Sequence, residues 1–167
     1  MSEKGATIAG LKMANAFVLT TRGVPQLYYG DEIAMTGPDE PTTRGDFPGG
    51  FPGDKHDAFT AAGRTREQQK LFEYIQRLIQ LRKELEPLRR APLRNLFVSE
   101  QQYAYARGSV IVVINNDDKQ AEISWNTDFK NGIVMHDRLG VSRDVTVRNG
   151  RLTVTLPRRS AAIFAER

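Results

Sequence analysis

A chain of 167 residues that is 40% hydrophobic, 26% charged and 8% aromatic has the make-up of a globular protein of one domain or two small ones, which excludes a disordered or collagen-like chain. No apolar run reaches the roughly 18 residues of a membrane span, Met1–Gly5 does not open an export signal, and the lack of cysteine removes disulfides and thiolate metal sites. No membrane partner is expected, and a cytoplasmic setting is the default. The net charge of +4 invites a nucleic-acid reading. Against it, residues 31–57 hold seven acids and only Arg44 and Lys55, and the nine bases of residues 64–94 fall on the polar side of a helical pattern, so no nucleic-acid partner is expected.

From Thr7 to Arg22, Ile8, Leu11, Ala14, Val18 and Leu19 recur at helical spacing, with Gly23 offering a left-handed cap and Pro25 opposing resumption. Val24, Leu27, Tyr28 and Tyr29 then read as a short buried strand ending at Gly30. Periodicity vanishes from Asp31 to Gly63, where Pro38, Pro41, Pro48 and Pro52 combine with Gly37, Gly45, Gly49, Gly50 and Gly53 to fix turns in a long acidic loop. Phe47, Phe51 and Phe59 predict that this loop packs on itself.

Thr65 and Gln68 form a capping-box pair at the start of a helix to Leu85, whose stripe is Leu71, Phe72, Ile75, Leu78, Ile79 and Leu85. Pro87 and Pro92 mark a boundary. Beyond it, seven short strands are expected: Tyr103–Arg107, Ser109–Ile114, Ala121–Trp125, Ile133–His136, Val145–Val147, Leu152–Leu156 and Ala161–Phe164. Asn149-Gly150 predicts a hairpin turn, and Trp125 is the natural core anchor.

Thr20-Thr21-Arg22-Gly23-Val24-Pro25-Gln26-Leu27-Tyr28-Tyr29-Gly30-Asp31-Glu32-Ile33 resembles the segment around the eighth barrel strand of the α-amylase clan of glycoside hydrolases. Arg44-Gly45-Asp46-Phe47-Pro48-Gly49-Gly50-Phe51 is similar to loops of bacterial cyclomaltodextrinase and neopullulanase-like members. Gly63-Arg64-Thr65, Leu81-Arg82-Lys83 and the ending Leu156–Phe164 extend the resemblance over nearly the whole chain.

The resemblance implies an α+β fold: residues 1–87 as a helix–strand–helix remnant of a (β/α)8 barrel, and residues 88–167 as an antiparallel β-sandwich. In that family the catalytic Asp, Glu and second Asp end the fourth, fifth and seventh strands, and the chain is expected to begin after all three. It contains neither an Asn-His-Asp nor a Gly-Phe-Arg-x-Asp motif. The implied activity is therefore that of a truncated relative that does not hydrolyse α-glucans, since glycosidases act through a pair of carboxyls. Its catalytic and substrate-binding residues are left unassigned. Asp31 and Glu32 are read as structural.

An orphan strand and two apolar helix faces lead to the expectation of a homo-oligomer, most simply a dimer, with the stripe Leu71, Ile75, Leu78 and Ile79 in its interface. Two further readings stay open. Asp46, Asp54, His56 and Asp57 combine carboxylates and an imidazole within twelve residues, a set suited to a divalent cation such as zinc, manganese or calcium and hence to ester or phosphoester hydrolysis. Tyr28, Tyr29, Phe47, Phe51 and Trp125 offer rings for a weak carbohydrate-binding module, although buried packing is the competing explanation.

Overall fold

The fold was obtained as a computed structural model that describes residues 6–37 and 44–166. Met1–Gly5 and, within the expected loop, Pro38, Asp39, Glu40 and Pro41 lie outside the described residues. The order is α1 (Ile8–Thr20), α2 (Arg66–Glu84), a single turn α3 (Pro87–Arg90), then β1 (Leu93–Val98), β2 (Gln102–Arg107), β3 (Val110–Asn115), β4 (Ala121–Asn126), β5 (Val134–Asp137), β6 (Val145–Thr146), β7 (Arg151–Leu156) and β8 (Ser160–Ala165).

The strands form a six-stranded sheet ordered β1-β2-β3-β8-β5-β6 and a two-stranded sheet of β4 and β7. Every pairing between these strands is antiparallel. The larger sheet is covered on both faces. Tyr105, Val110, Val112, Ala161 and Ile163 point to a cluster with Met13, Ala16 and Leu19 of α1 and Leu71, Ile75, Leu78 and Leu81 of α2. Ala104, Ile111, Val113, Ala162 and Phe164 point the other way, onto Ile123, Trp125, Leu152, Val154 and Leu156 of the small sheet. The result is three layers, with helices on one side of the large sheet and β4–β7 on the other.

That arrangement explains two residue patterns. β3 is an almost unbroken apolar run, Val110-Ile111-Val112-Val113-Ile114, because both of its faces are buried. β7 alternates between exposed and buried, because its outer face meets solvent.

The α2 capping box forms as its residues predict, with Thr65 Oγ1 accepting the Gln68 amide and Gln68 Oε1 accepting the Thr65 amide. Its stripe is buried within the chain, so Leu71, Ile75 and Leu78 are already covered by α1 and the sheet. The expected cap at Gly23 is not used: α1 ends at Thr20, and its C-cap is Thr21 in extended conformation.

Two sequence expectations are corrected on the β side. β1 and α3 replace what reads as a bare boundary between Pro87 and Tyr103; Pro87 is the first residue of α3, a position that needs no amide donor. The Asn149-Gly150 turn forms, with φ of 50° and 68°, but its ladder is a single pair between Arg148 and Arg151. The two arms then diverge into different sheets, β6 to the edge beside β5 and β7 beside β4.

Candidate functional site

The expected strand at Val24–Gly30 forms no regular element and has no ladder partner among the described residues, and Tyr29 and Gly30 already belong to a turn. It is not buried either: Val24 is 97% exposed, Tyr28 54% and Tyr29 44%. The cause is topological, since no neighbouring strand lies alongside to take its amides and carbonyls. The Tyr28 and Tyr29 rings contact each other at 4.6 Å between centroids.

The segment ends in a tight turn built by the two acids that follow it. Asp31 Oδ2 accepts the Tyr28 amide at 3.0 Å, and Glu32 Oε2 accepts the Gly30 amide at 2.9 Å. Gly30 is buried at φ 90°, and a Cβ there would lie 2.6 Å from Met35 Sδ, so the turn requires glycine. Glu32 thus has the structural role expected for it. Ile33 anchors the turn in the interior.

The stretch from Arg44 to Gly63 is an irregular but closely tied loop. Phe47 and Phe59 contact at 4.5 Å, whereas Phe51 and Phe59 remain 56% and 63% exposed, so the expected aromatic loop core is only partly closed. Its main anchor is Arg64, which reading by residue type does not single out. The guanidinium donates to the Ala58 and Phe59 carbonyls and to Gln69 Oε1, and it lies 3.6 Å over the Phe72 ring. Its place directly before the Thr65 capping box is the signal that marks it.

Within that loop all four candidate metal ligands, Asp46, Asp54, His56 and Asp57, are exposed. Asp54 Oδ2 accepts the Gly49 amide at 2.7 Å and the Phe51 amide at 3.0 Å, which holds its carboxyl below the usual carboxylate range, with His56 adding a smaller favourable charge. Asp57 Oδ1 accepts the Phe59 amide. Among the described residues no three His, Cys, Asp or Glu side chains gather in a way that could hold a metal ion.

Trp125 occupies the core between the two sheets, as its alternating strand predicts, and is not a surface ring. Its indole N–H has no hydrogen-bond partner among the described residues. His136 Nδ1 lies 2.6 Å from Asp144 Oδ2, while Asp137 accepts the amides of Leu139, Val141 and Ser142, so both residues organise the turn after β5. No helix among the described residues is long and apolar enough to cross a membrane.

The Gly-x-Pro segment, its carboxylate-braced turn and the antiparallel β-domain together define the class: the chain matches a C-terminal part, β-domain included, of an α-amylase-clan enzyme. Among its relatives are neopullulanase 2 of Thermoactinomyces vulgaris, 30% identical over 91% of this chain, and the amylopullulanase of Thermoanaerobacter thermohydrosulfuricus, 26% identical over 96%. A cyclomaltodextrinase of Geobacillus thermopakistaniensis is 30% identical over 75% of this chain.

This chain spans only 25%, 11% and 20% of the length of those three relatives. In three dimensions it is similar to Ttha1563 of Thermus thermophilus, with a TM-score of 0.79 and 28% identity over 96% of this chain and 32% of that one. An Anoxybacillus α-amylase shares the fold at a TM-score of 0.77, with 23% identity over 96% of this chain and 33% of that one. No protein-family model matches the chain.

Proposed function

We propose that this chain supplies the barrel-closing segment and the C-terminal β-domain of an α-glucan-acting glycoside hydrolase of the cyclomaltodextrinase type, and that it does not itself cleave glycosidic bonds. The observation that carries this reading is the Val24–Tyr29 segment, unpaired with any strand among the described residues and largely exposed, at the position where the resembled family has a central barrel strand. An exposed apolar segment that pairs with no strand fits a site that adjoining strands cover.

The absence of cleavage rests on the carboxyls nearest that segment. Glycosidic hydrolysis needs one carboxyl free to protonate the leaving oxygen and a second free to attack or to activate water. Asp31 and Glu32 instead accept backbone amides of their own turn. The ester-hydrolase reading at Asp46, Asp54, His56 and Asp57 gains no support from a loop in which Asp54 and Asp57 already serve backbone amides. The test is an assay of the purified chain against cyclodextrins and pullulan, with and without chelator. No product is expected in either case, and release of glucose or maltose would overturn the reading.

A further inference from the structure

We infer that Arg82 and Arg107 form a paired-guanidinium latch on the C-terminal end of α1 that makes the helical layer and the β-layers one cooperative unit. A helix leaves its last four carbonyls without partners inside the helix, and a glycine cap is a common way to satisfy them. Here side chains from two other elements, one in the helical layer and one in the large sheet, take that role. Arg82 of α2 donates to Leu19 O at 2.8 Å and to Gly23 O at 2.9 Å. Arg107 of β2 donates to Thr20 O at 2.8 Å.

Each guanidinium also reaches back to the connection between the helices and the sheet. Arg82 donates to Leu88 O, and Arg107 donates to Ala91 O, both at 2.9 Å. Thr20 completes the joint: its hydroxyl bonds Ala16 O, which leaves Tyr105 as the donor in the 2.5 Å contact between the two hydroxyls. Arg107 is 2% exposed, and neither arginine has a carboxylate ion-pair partner among the described residues. The partial negative charge of the α1 terminus is what faces both cations. Burial of each, together with their mutual repulsion at Arg82, weakens the hold on the proton without supplying a counterion.

The latch fixes the direction in which the chain leaves α1, because one arm of Arg82 holds Gly23 at the entrance to the exposed segment. It also joins residues on both sides of the Pro87 boundary. Carbonyls held by two planar forks add directed bonds to the apolar packing of this joint. Replacing both arginines by Met keeps apolar volume at the joint and removes the directed bonds together with both positive charges.

The chain's single tryptophan, Trp125, reports the core between the sheets, and far-ultraviolet circular dichroism reports α1 and α2. In urea, the two signals of the unaltered protein are expected to share one midpoint. In the Arg82→Met, Arg107→Met variant the helical signal should be lost at lower urea than the tryptophan signal. Coincident transitions in that variant would overturn the latch. Hydrogen exchange in the unaltered protein tests cooperativity without any substitution. Amides of Ala16 and Leu19 should be protected to within about tenfold of those of Val112 and Ile163. Exchange about a hundredfold faster in α1 than in β3 would contradict a single unit.

Discussion

Gly63 shows how narrowly one residue can decide the loop. A Cβ at this position would lie 1.9 Å from the Asp57 carbonyl oxygen and 2.4 Å from its carbon, so backbone rather than a mobile side chain blocks it. Its φ is not in the left-handed range, which leaves contact as the sole objection to a side chain. Gly63→Ala is therefore expected to destabilise the protein by about 1–3 kcal/mol through overpacking. Thermal unfolding checks this, and an unchanged midpoint would show that the loop yields without cost. Gly53 has open space around its Cβ position, whereas a Cβ at Gly49 would also meet Asp57, 2.6 Å from its Cα. Trp125 is the opposite kind of residue: its ring fills the inter-sheet core while its one polar atom goes without a partner. Its burial is the larger contribution, since an aromatic side chain removes far more apolar surface from water than one indole N–H loses in hydration.

At the scale of elements, the Arg44–Gly63 loop owes its form to acceptors rather than to a core. Asp54 contributes through the Phe51 and Gly49 amides, which depress its carboxyl below the ordinary value of 3.8. A depressed carboxyl stabilises the folded form fully above that ordinary value, and the contribution disappears as pH falls through the lower folded one. The Gly49 and Phe51 amide resonances should accordingly move together below about pH 4. In Asp54→Asn that titration should be absent, and its persistence would assign the acid response to another group. For α2 the burial within the chain predicts a stability effect rather than a change of assembly: Leu78→Ala should cost about 2–5 kcal/mol in denaturant unfolding. A cost near zero would mean that the stripe is not the packed face described.

The elements differ in how readily the chain betrays them. Helix α2 is legible because its capping box, 3.6-residue stripe and flanking prolines agree with one another. β3, β4, β7 and β8 are legible from β-branched runs and turns. The Val24–Tyr29 segment reads as buried because its composition fits a covered strand, and composition cannot report whether neighbours are present. β1 escapes such a reading because Leu93–Val98 mixes Arg and Asn into an edge strand that needs little burial. The loop carboxylates read as metal ligands from residue type alone, whereas Asp54 and Asp57 accept amides whose positions only the folded backbone sets. Arg107 gives no signal at all: a lone arginine ending a strand normally points to solvent, and its helix-end partner lies 87 residues away.

For the whole molecule, three layers and two apolar clusters make a closed body, and the uncovered apolar stretch at Val24–Tyr29 is the part that calls for neighbouring strands. Coverage of 11–25% of three enzymes with starch-related names fits a part that completes a larger catalytic fold. The β-layers and helices position a segment whose adjoining acids, Asp31 and Glu32, each accept a backbone amide of its turn, which is the basis on which we propose that the chain does not itself cleave. The most direct test is the release of reducing ends from β-cyclodextrin and pullulan by the purified unaltered chain. The expected rate is indistinguishable from buffer, in the presence or absence of divalent metal. Steady production of glucose or maltose that disappears in Asp31→Asn or Glu32→Gln would contradict this, because those carboxylates would then carry out chemistry that the turn geometry assigns to structure.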